Sequence, residues 1–144
     1  DTPNQFQLIG RDANAIEPAK RMLSSMTPTL VTKDGAPVLI TGSPGGSTII
    51  TTTLQVILNV IDHGMNIDDA VDAPRFHHQW KPDSVIYERN GVTPDARNVL
   101  AGKGHQFREA GFGRGIGDAN SILYKDGMMH GTKDPRAQGA AVGY

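Results

Sequence analysis

A glycine-rich turn between two apolar segments constrains this sequence more than any other feature. The turn, TGSPGGS, spans Thr41–Ser47; the strand-like Val38–Ile40 precedes it, and an apolar run typical of a buried helix, Ile49–Ile61, follows. A glycine pair at a strand-to-helix turn exposes backbone N–H groups that no side chain shields. These groups can bind a carboxylate, a phosphate or the oxyanion of an acyl-transfer intermediate. Taken alone, the turn is more simply explained as a tight connection that needs glycine for its backbone.

Composition narrows the class of protein. The 144 residues predict one domain, 1–144, and 17 Gly with 9 Pro indicate many turns and short strands. The net charge of −1 gives no reason to expect a nucleic-acid partner. The absence of cysteine excludes disulfides and thiolate metal sites, and no apolar run is long enough to predict a membrane span.

The first half of the chain predicts a hairpin followed by a helix. Two β-branched segments, 29–32 and 37–41, flank an Asp-Gly pair, which is a strong signal for a hairpin turn. The helix is predicted over 47–63 and ends at Gly64. We expect it to pack on a sheet through one apolar stripe, and to be largely buried because further apolar residues widen that stripe. The stripe is Ile50, Leu54, Ile57, Leu58 and Ile61, widened by Ile49, Val56 and Val60.

The second half predicts short elements. Helices are expected over 66–71, capped by Asn66, and over 94–101, where Pro94 stands near the start. The expected strands are 85–88, 105–108, 121–124 and 128–130, the last two joined by a turn at 125–127. Residues 1–20 predict a loop. The fold class is therefore α+β, with hairpins and with helices over one face.

Adjacent serines, Ser24 and Ser25, precede the first predicted strand. Two hydroxyl groups can donate two hydrogen bonds to a carboxylate, whereas a serine nucleophile would need a nearby base, and no G-x-S-x-G elbow is present. A solvated serine turn is the simpler interpretation of the pair taken alone.

The other polar clusters give weaker signals. The five histidines have no metal-ligand spacing, so we expect no metal site and no cofactor. The segment Arg75–Trp80 predicts a packed, hydrogen-bonded stretch, and Gly113–Gly117 a flexible loop. In Asp134–Arg136 we expect a turn whose arginine pairs with a carboxylate.

Four motifs occur in a fixed order, and their combination is far more specific than any one of them. They are SSMTP at Ser24–Pro28, TGSPGGS at Thr41–Ser47, DAPRFHHQ at Asp72–Gln79, and DPR at Asp134–Arg136 with a terminal Gly-Tyr. Together they resemble the C-terminal part of the small subunit of bacterial γ-glutamyltranspeptidases, also called glutathione hydrolases. The resemblance covers essentially the whole chain.

The resemblance implies a fold, an activity and a set of site residues. The fold would be part of the four-layer αββα sandwich of N-terminal-nucleophile hydrolases. The activity would be transfer of the γ-glutamyl group of glutathione-like amides to water or to amino acids, through a γ-glutamyl-enzyme. Ser24 and Ser25 would bind the substrate's α-carboxylate, and Gly45 and Gly46 would supply the N–H groups of the oxyanion hole.

The chain also departs from the family pattern. The nucleophilic threonine of the family stands at the start of the small subunit, and Thr2 lacks the residues that follow it there. We therefore expect the nucleophile upstream of Asp1, an incomplete pocket in this chain, and no turnover by the chain alone. The expected partners are the large subunit and the N-terminal part of the small subunit of one self-cleaving precursor, in the periplasm or secreted.

Two alternatives remain open. Related N-terminal-nucleophile enzymes act as cephalosporin or glutaryl acylases, or as poly-γ-glutamate transpeptidases, although the serine pair favours a substrate with a free α-carboxylate. The isolated chain could instead be a non-catalytic interaction module with unpaired strand edges.

Overall fold

The computed structural model of the protein describes residues 15–111 and 115–143. Residues 15–28 contain no helix or strand, as predicted for 15–20, while the rest of the predicted N-terminal loop, 1–14, lies outside the described residues. The elements that follow are β1 (Thr29–Lys33), β2 (Ala36–Thr41), α1 (Ile49–Ile61), α2 (Ile67–Asp72), β3 (Phe76–His77), β4 (Val85–Tyr87), α3 (Pro94–Gly102), β5 (Phe107–Glu109), β6 (Ser121–Lys125) and β7 (Met128–Thr132).

Four strands form an antiparallel sheet in the order β1-β2-β6-β7. Both predicted hairpins are confirmed. In each hairpin turn an Asp-Gly pair has positive φ: 52° and 80° at Asp34 and Gly35, 53° and 78° at Asp126 and Gly127. Two consecutive residues with positive φ match the right-handed twist of the flanking strands, which explains why Asp-Gly predicts such turns.

The core lies between one face of this sheet and the two helices that cover it. Leu39 of β2 pairs with Val31 of β1 and with Leu123 of β6, so the three side chains share this face. Val56 of α1 and Val71 of α2 are fully buried against it. The prediction of helices over one face is therefore confirmed.

Helix α1 packs on the sheet through one edge of the predicted apolar surface, with Ile57 and Val60 against the core, and not through the centre of the predicted stripe. Its buried residues are Ile49, Thr52, Thr53 and Val56. In the predicted stripe, Ile50, Leu54, Leu58 and Ile61 are 45%, 50%, 37% and 52% exposed, so the expectation of a largely buried helix is wrong within this chain. The apolar residues of the helix cover only slightly more than half of its circumference, but that surface is still broader than the strip that contacts the sheet, so hydrophobicity alone does not select the strip.

The other face of the four-stranded sheet is apolar and exposed. Leu30, Ile40 and Ile122 stand in one row across β1, β2 and β6, because Ile40 pairs with both of the others. Their exposed fractions are 58%, 38% and 36%. No described helix or strand of this chain covers them.

A second sheet contains three short strands in the order β3-β4-β5, with β4 and β5 parallel. The sequence did not predict β3, which has only two residues. Both short helices are confirmed with their caps: Asn66 accepts a hydrogen bond from Asp69 N, and Thr93 accepts one from Ala96 N. Within the described residues, no helix is long and apolar enough to span a membrane.

Candidate active site

The predicted glycine turn opens helix α1 through a short 3-10 turn at Gly46–Thr48. Gly45 has φ 139° and Gly46 has φ 60°. The carbonyl of Gly45 accepts hydrogen bonds from the N–H of Thr48, at 3.2 Å, and from its hydroxyl, at 3.0 Å. Both glycines are exposed, and their N–H groups have no acceptor among the described residues. The turn thus presents two backbone donors at the start of a helix, where the helix dipole favours negative charge.

Glycine is required at position 45 for two reasons. Its φ of 139° lies in a region that residues with a side chain rarely adopt, and a Cβ there would clash with the hydroxyl of Thr48. That clash would disturb the hydrogen bonds that begin the helix. The glycine pair is therefore part of the turn's construction, whatever the turn binds.

Ser25 is joined directly to this turn. Its side chain is 6% exposed, and its Oγ donates a hydrogen bond to the carbonyl of Gly46 across 2.6 Å. Ser24 is exposed, and its Oγ accepts a hydrogen bond from Met26 N at 3.2 Å. Two motifs separated by about twenty residues in the sequence thus meet in one place.

Behind the turn lies a buried ionic cluster of four side chains, Arg75, Glu88, Asp134 and Arg136. Arg75 pairs with Asp134 at 2.7 Å, and these side chains are 2% and 0% exposed. Arg136 donates to both carboxylate oxygens of Glu88, each at 2.6 Å, and contacts Asp134 at 3.1 Å. The predicted pairing of Arg136 with a carboxylate is confirmed.

The cluster shifts the pKa values of its members. Burial alone would raise the pKa of Glu88, but hydrogen bonds from Arg136 and from the N–H groups of Ile116 and Arg75 bring it below its ordinary value. Burial would likewise raise the pKa of Asp134, which hydrogen bonds from Ala119 N and Arg136 N, together with the charge of Arg75, lower instead. Both carboxyl groups are therefore held in the charged form.

Sequence patterns did not reveal the whole cluster. The segment Arg75–Trp80 was predicted to be packed and hydrogen-bonded, which holds for His77: its ring bonds Thr51 Oγ1 at 2.7 Å and Gln79 Oε1 at 2.9 Å. The burial of Arg75 in an ion pair was not predicted, because its partner stands 59 positions away in the chain.

The described residues contain no group of three His, Asp or Glu that could hold a metal ion.

The predicted flexible loop at 113–117 falls partly outside the described residues, which exclude 112–114. Its described end is tightly packed, contrary to the prediction. A Cβ on Gly117 would lie 2.6 Å from Ser43 Oγ and 2.6 Å from Thr52 Oγ1. The prediction failed because glycine signals flexibility and close backbone approach equally well.

Comparisons with known proteins identify the family to which this chain belongs. The family model described as Gamma-glutamyltranspeptidase matches residues 1–144. The chain is 50% identical over 138 residues to the glutathione hydrolase proenzyme of Escherichia coli strain K12, covering 94% of this chain and 23% of that protein. It is 43% identical to the glutathione hydrolase proenzyme of Bacillus subtilis strain 168, covering 96% and 23%.

Solved structures agree. A variant of Helicobacter pylori gamma-glutamyltranspeptidase superposes with a TM-score of 0.85 at 49% identity, over 94% of this chain and 73% of that one. The gamma-glutamyltranspeptidase of Pseudomonas nitroreducens complexed with L-DON gives 0.87 at 39% identity, over 98% and 73%. The fold is thus the predicted α+β part of an N-terminal-nucleophile hydrolase. The chain belongs to the gamma-glutamyltranspeptidase family. It spans about a quarter of the length of the curated relatives it matches.

Proposed function

We propose that this chain, residues 1–144, is the C-terminal portion of the small subunit of a γ-glutamyltransferase and glutathione hydrolase. The enzyme transfers the γ-glutamyl group of glutathione-like amides to water or to amino acids through a γ-glutamyl-enzyme. Ser24 and Ser25 bind the α-carboxylate of the substrate, and Gly45 and Gly46 form the oxyanion hole. No metal ion and no cofactor takes part.

The contact between Ser25 and Gly46 carries this proposal. The 2.6 Å hydrogen bond between them brings the proposed carboxylate site next to the proposed oxyanion site. A γ-glutamyl group has its α-carboxylate at one end and its reactive carbonyl at the other, only a few bonds apart. The serine pair and the backbone N–H groups of the turn are neighbouring donors for these two ends, and the single proton of Ser25, which Gly46 O accepts in this structure, turns to the carboxylate when substrate binds.

The two donor types suit the two charges. The α-carboxylate is charged before the reaction, so hydroxyl donors contribute to substrate binding. The carbonyl oxygen becomes negative only in the transition state, so fixed N–H groups that face it there lower the barrier. Serine hydroxyls would set KM chiefly, and the glycine turn would set kcat.

In this proposal, the other groups that the reaction needs belong to parts of the protein outside these 144 residues. The nucleophile is the N-terminal threonine of the small subunit, released when the precursor cleaves itself into two subunits. The large subunit and the N-terminal part of the small subunit complete the pocket. The proposal also places the enzyme in the periplasm or outside the cell, which the family resemblance supports.

The proposal is tested with the full-length precursor and γ-glutamyl-p-nitroanilide. We expect release of p-nitroaniline by the processed full-length protein and none by the 144-residue chain alone. A correctly processed full-length protein without activity would overturn the proposal, and activity of the isolated chain would overturn the assignment of the nucleophile.

A matched pair of glycine variants tests the oxyanion hole. Gly45→Ala introduces a clash with Thr48, whereas Gly64→Ala, also at positive φ, meets open space. Alanine keeps the N–H group but the clash displaces it, so Gly45→Ala should lower kcat by up to about 100-fold, the effect of losing one oxyanion donor, and Gly64→Ala should leave kcat unchanged. Equal kcat values for the two variants would contradict the assignment.

The similarity to a cephalosporin acylase from Bacillus halodurans favours a second candidate function. That structure superposes with a TM-score of 0.75 at 28% identity over 85% of this chain. An acylase acting on a substrate without a free α-carboxylate would not need the serine pair. Retention of γ-glutamyl affinity in the Ser24→Ala/Ser25→Ala double variant, together with cleavage of a glutaryl or cephalosporin amide, would favour this alternative.

A further inference from the structure

The segment Ile116–Ala119 lies directly against the glycine turn. The N–H of Asp118 donates to Ser43 Oγ across 2.8 Å, joining residues 75 positions apart in the chain. A Cβ placed on Gly45 would stand 3.6 Å from the Cα of Gly117, so the two backbones are in close contact. Ser43 therefore links the turn to a second segment that the proposed chemistry does not use.

Ser43 also holds the turn itself. Its hydroxyl donates to the carbonyl of Pro44 across 2.6 Å while its oxygen accepts from Asp118 N. One hydroxyl group thus uses its proton within the turn and a lone pair for the neighbouring segment. Pro44 directly precedes the glycine pair, so the position of the pair depends on this side chain.

Residues 116–119 leave the glycine turn little space in which to move. Gly117 has φ 75°, and a Cβ there would lie 2.6 Å from both Ser43 Oγ and Thr52 Oγ1. Thr52 is fully buried in α1. The backbone of Gly117 therefore fills the space between the turn and the helix.

Both ends of the segment are held by the ionic cluster. Ile116 N donates to Glu88 Oε1 at 2.6 Å, and Ile116 O accepts from Arg75 Nη1 at 2.8 Å. Ala119 N donates to Asp134 Oδ2 at 2.6 Å. Hydrogen bonds to charged groups are shorter and stronger than those between neutral groups, so the segment is fixed at two points.

We propose that Ser43 is a positioning residue for the glycine turn. Its hydrogen bonds hold the N–H groups of Gly45 and Gly46 in place relative to residues 116–119. Ser43 itself touches neither the substrate nor the reacting atoms. The catalytic consequence rests on the proposed function. Oxyanion donors act only when they already stand at hydrogen-bond distance from the developing charge, so a shift of the turn weakens them.

The test uses Ser43→Ala in the full-length protein, with two readouts. On γ-glutamyl-p-nitroanilide we expect kcat to fall about tenfold, the effect of roughly one hydrogen bond, while KM changes less than about twofold because Ser24 and Ser25 are unaltered. Hydrogen–deuterium exchange followed by mass spectrometry should accelerate in peptides that cover 43–48 and 116–119.

Two matched comparisons separate positioning from loss of stability. Thr93→Ala removes the N-cap of α3, a hydrogen bond outside this network, and should lower the Tm without changing kcat. Gly117→Ala and Gly127→Ala both place alanine at positive φ, 75° and 78°, but only the first presses on Ser43. Gly117→Ala should lower kcat, and Gly127→Ala should not.

The readouts distinguish the possible outcomes. Faster exchange together with lower kcat supports the proposal. Unchanged exchange in both peptides overturns the coupling, whatever the activity. Faster exchange with unchanged kcat, or an equal loss of kcat in Thr93→Ala, overturns the catalytic role. Absence of γ-glutamyl activity in the unaltered protein would overturn the proposed function, and the exchange data would still decide on the coupling.

Discussion

Asp134 pairs with Arg75 across 2.7 Å at a site where both side chains are almost completely excluded from solvent. Transfer of two charges from water to the interior costs several kcal/mol per ion, and their attraction offsets this cost only when further hydrogen bonds satisfy them. Asp134 has these in the N–H groups of Ala119 and Arg136. Arg75 donates to the carbonyls of Val71 and Ile116. The pair is therefore part of a network that joins three separate segments.

Substitution Asp134→Asn should destabilise the protein strongly, because it leaves the charge of Arg75 buried without its partner. Loss of one member of a buried pair costs about 3–5 kcal/mol in the free energy of unfolding. The control is Glu17→Gln, which removes an exposed ion pair with Lys20 of 3.4 Å and should cost about 1 kcal/mol or less. Urea unfolding measures both, and equal losses would contradict the prediction.

Stability should fall in acid because the pKa values of Glu88 and Asp134 are lowered in the folded state. In acid the folded protein then binds fewer protons than the unfolded chain. The contribution of these two carboxylates to the free energy of unfolding is therefore fully present above their ordinary pKa values of 4.5 and 3.8. It is lost as the pH falls through the lower folded-state values. Both arginines keep their charge throughout, since guanidinium groups are not deprotonated in proteins.

Urea unfolding between pH 7 and pH 3 checks this expectation. The Glu88→Gln/Asp134→Asn double variant should be less stable at pH 7 and show a flatter decline below pH 5. The control, Asp126→Asn, alters an exposed turn residue whose positive φ asparagine also adopts. An unchanged slope in the double variant would show that other groups cause the acid sensitivity.

The accuracy of the sequence predictions depended on how local their causes are. The hairpin turns at Asp34–Gly35 and Asp126–Gly127 were correct because two adjacent residues determine the backbone there. The centre of the buried face of α1 was misplaced, because the sheet selects which part of a broad apolar surface is buried. The pairing of Arg75 with Asp134 was missed because it joins distant segments. Strand β3 was missed because its two residues are too few to show an alternating pattern.

Single alanine variants of Ser24 and Ser25 should differ in their kinetics. Ser24 is exposed and does not contact the turn, so Ser24→Ala should raise KM with kcat nearly unchanged. Ser25 has one hydroxyl proton, which it donates to the carbonyl of Gly46 in this structure, so Ser25→Ala removes a bond that orders the turn as well as a donor for the carboxylate, and it should raise KM and lower kcat. Hydrogen bonds to a charged group contribute about 1.5–3 kcal/mol, which corresponds to roughly 10- to 150-fold in KM, whereas the bond between Ser25 and the neutral carbonyl of Gly46 accounts for about tenfold or less in kcat. Steady-state kinetics with γ-glutamyl-p-nitroanilide measures both, and identical kcat effects would contradict the special role of Ser25.

The exposed row of Leu30, Ile40 and Ile122 should cause the isolated 144-residue chain to self-associate, because contiguous apolar surface on a sheet favours contact with another protein surface. The Ile40→Thr variant keeps a β-branched side chain in the strand while reducing this apolar area. Light scattering after size exclusion should give a mass above that of the monomer for the unaltered chain and a lower mass for the variant. Val99→Thr, which changes a single exposed valine on α3, should leave association unchanged. A monomeric unaltered chain would count against both this prediction and an interaction module that uses the exposed sheet face.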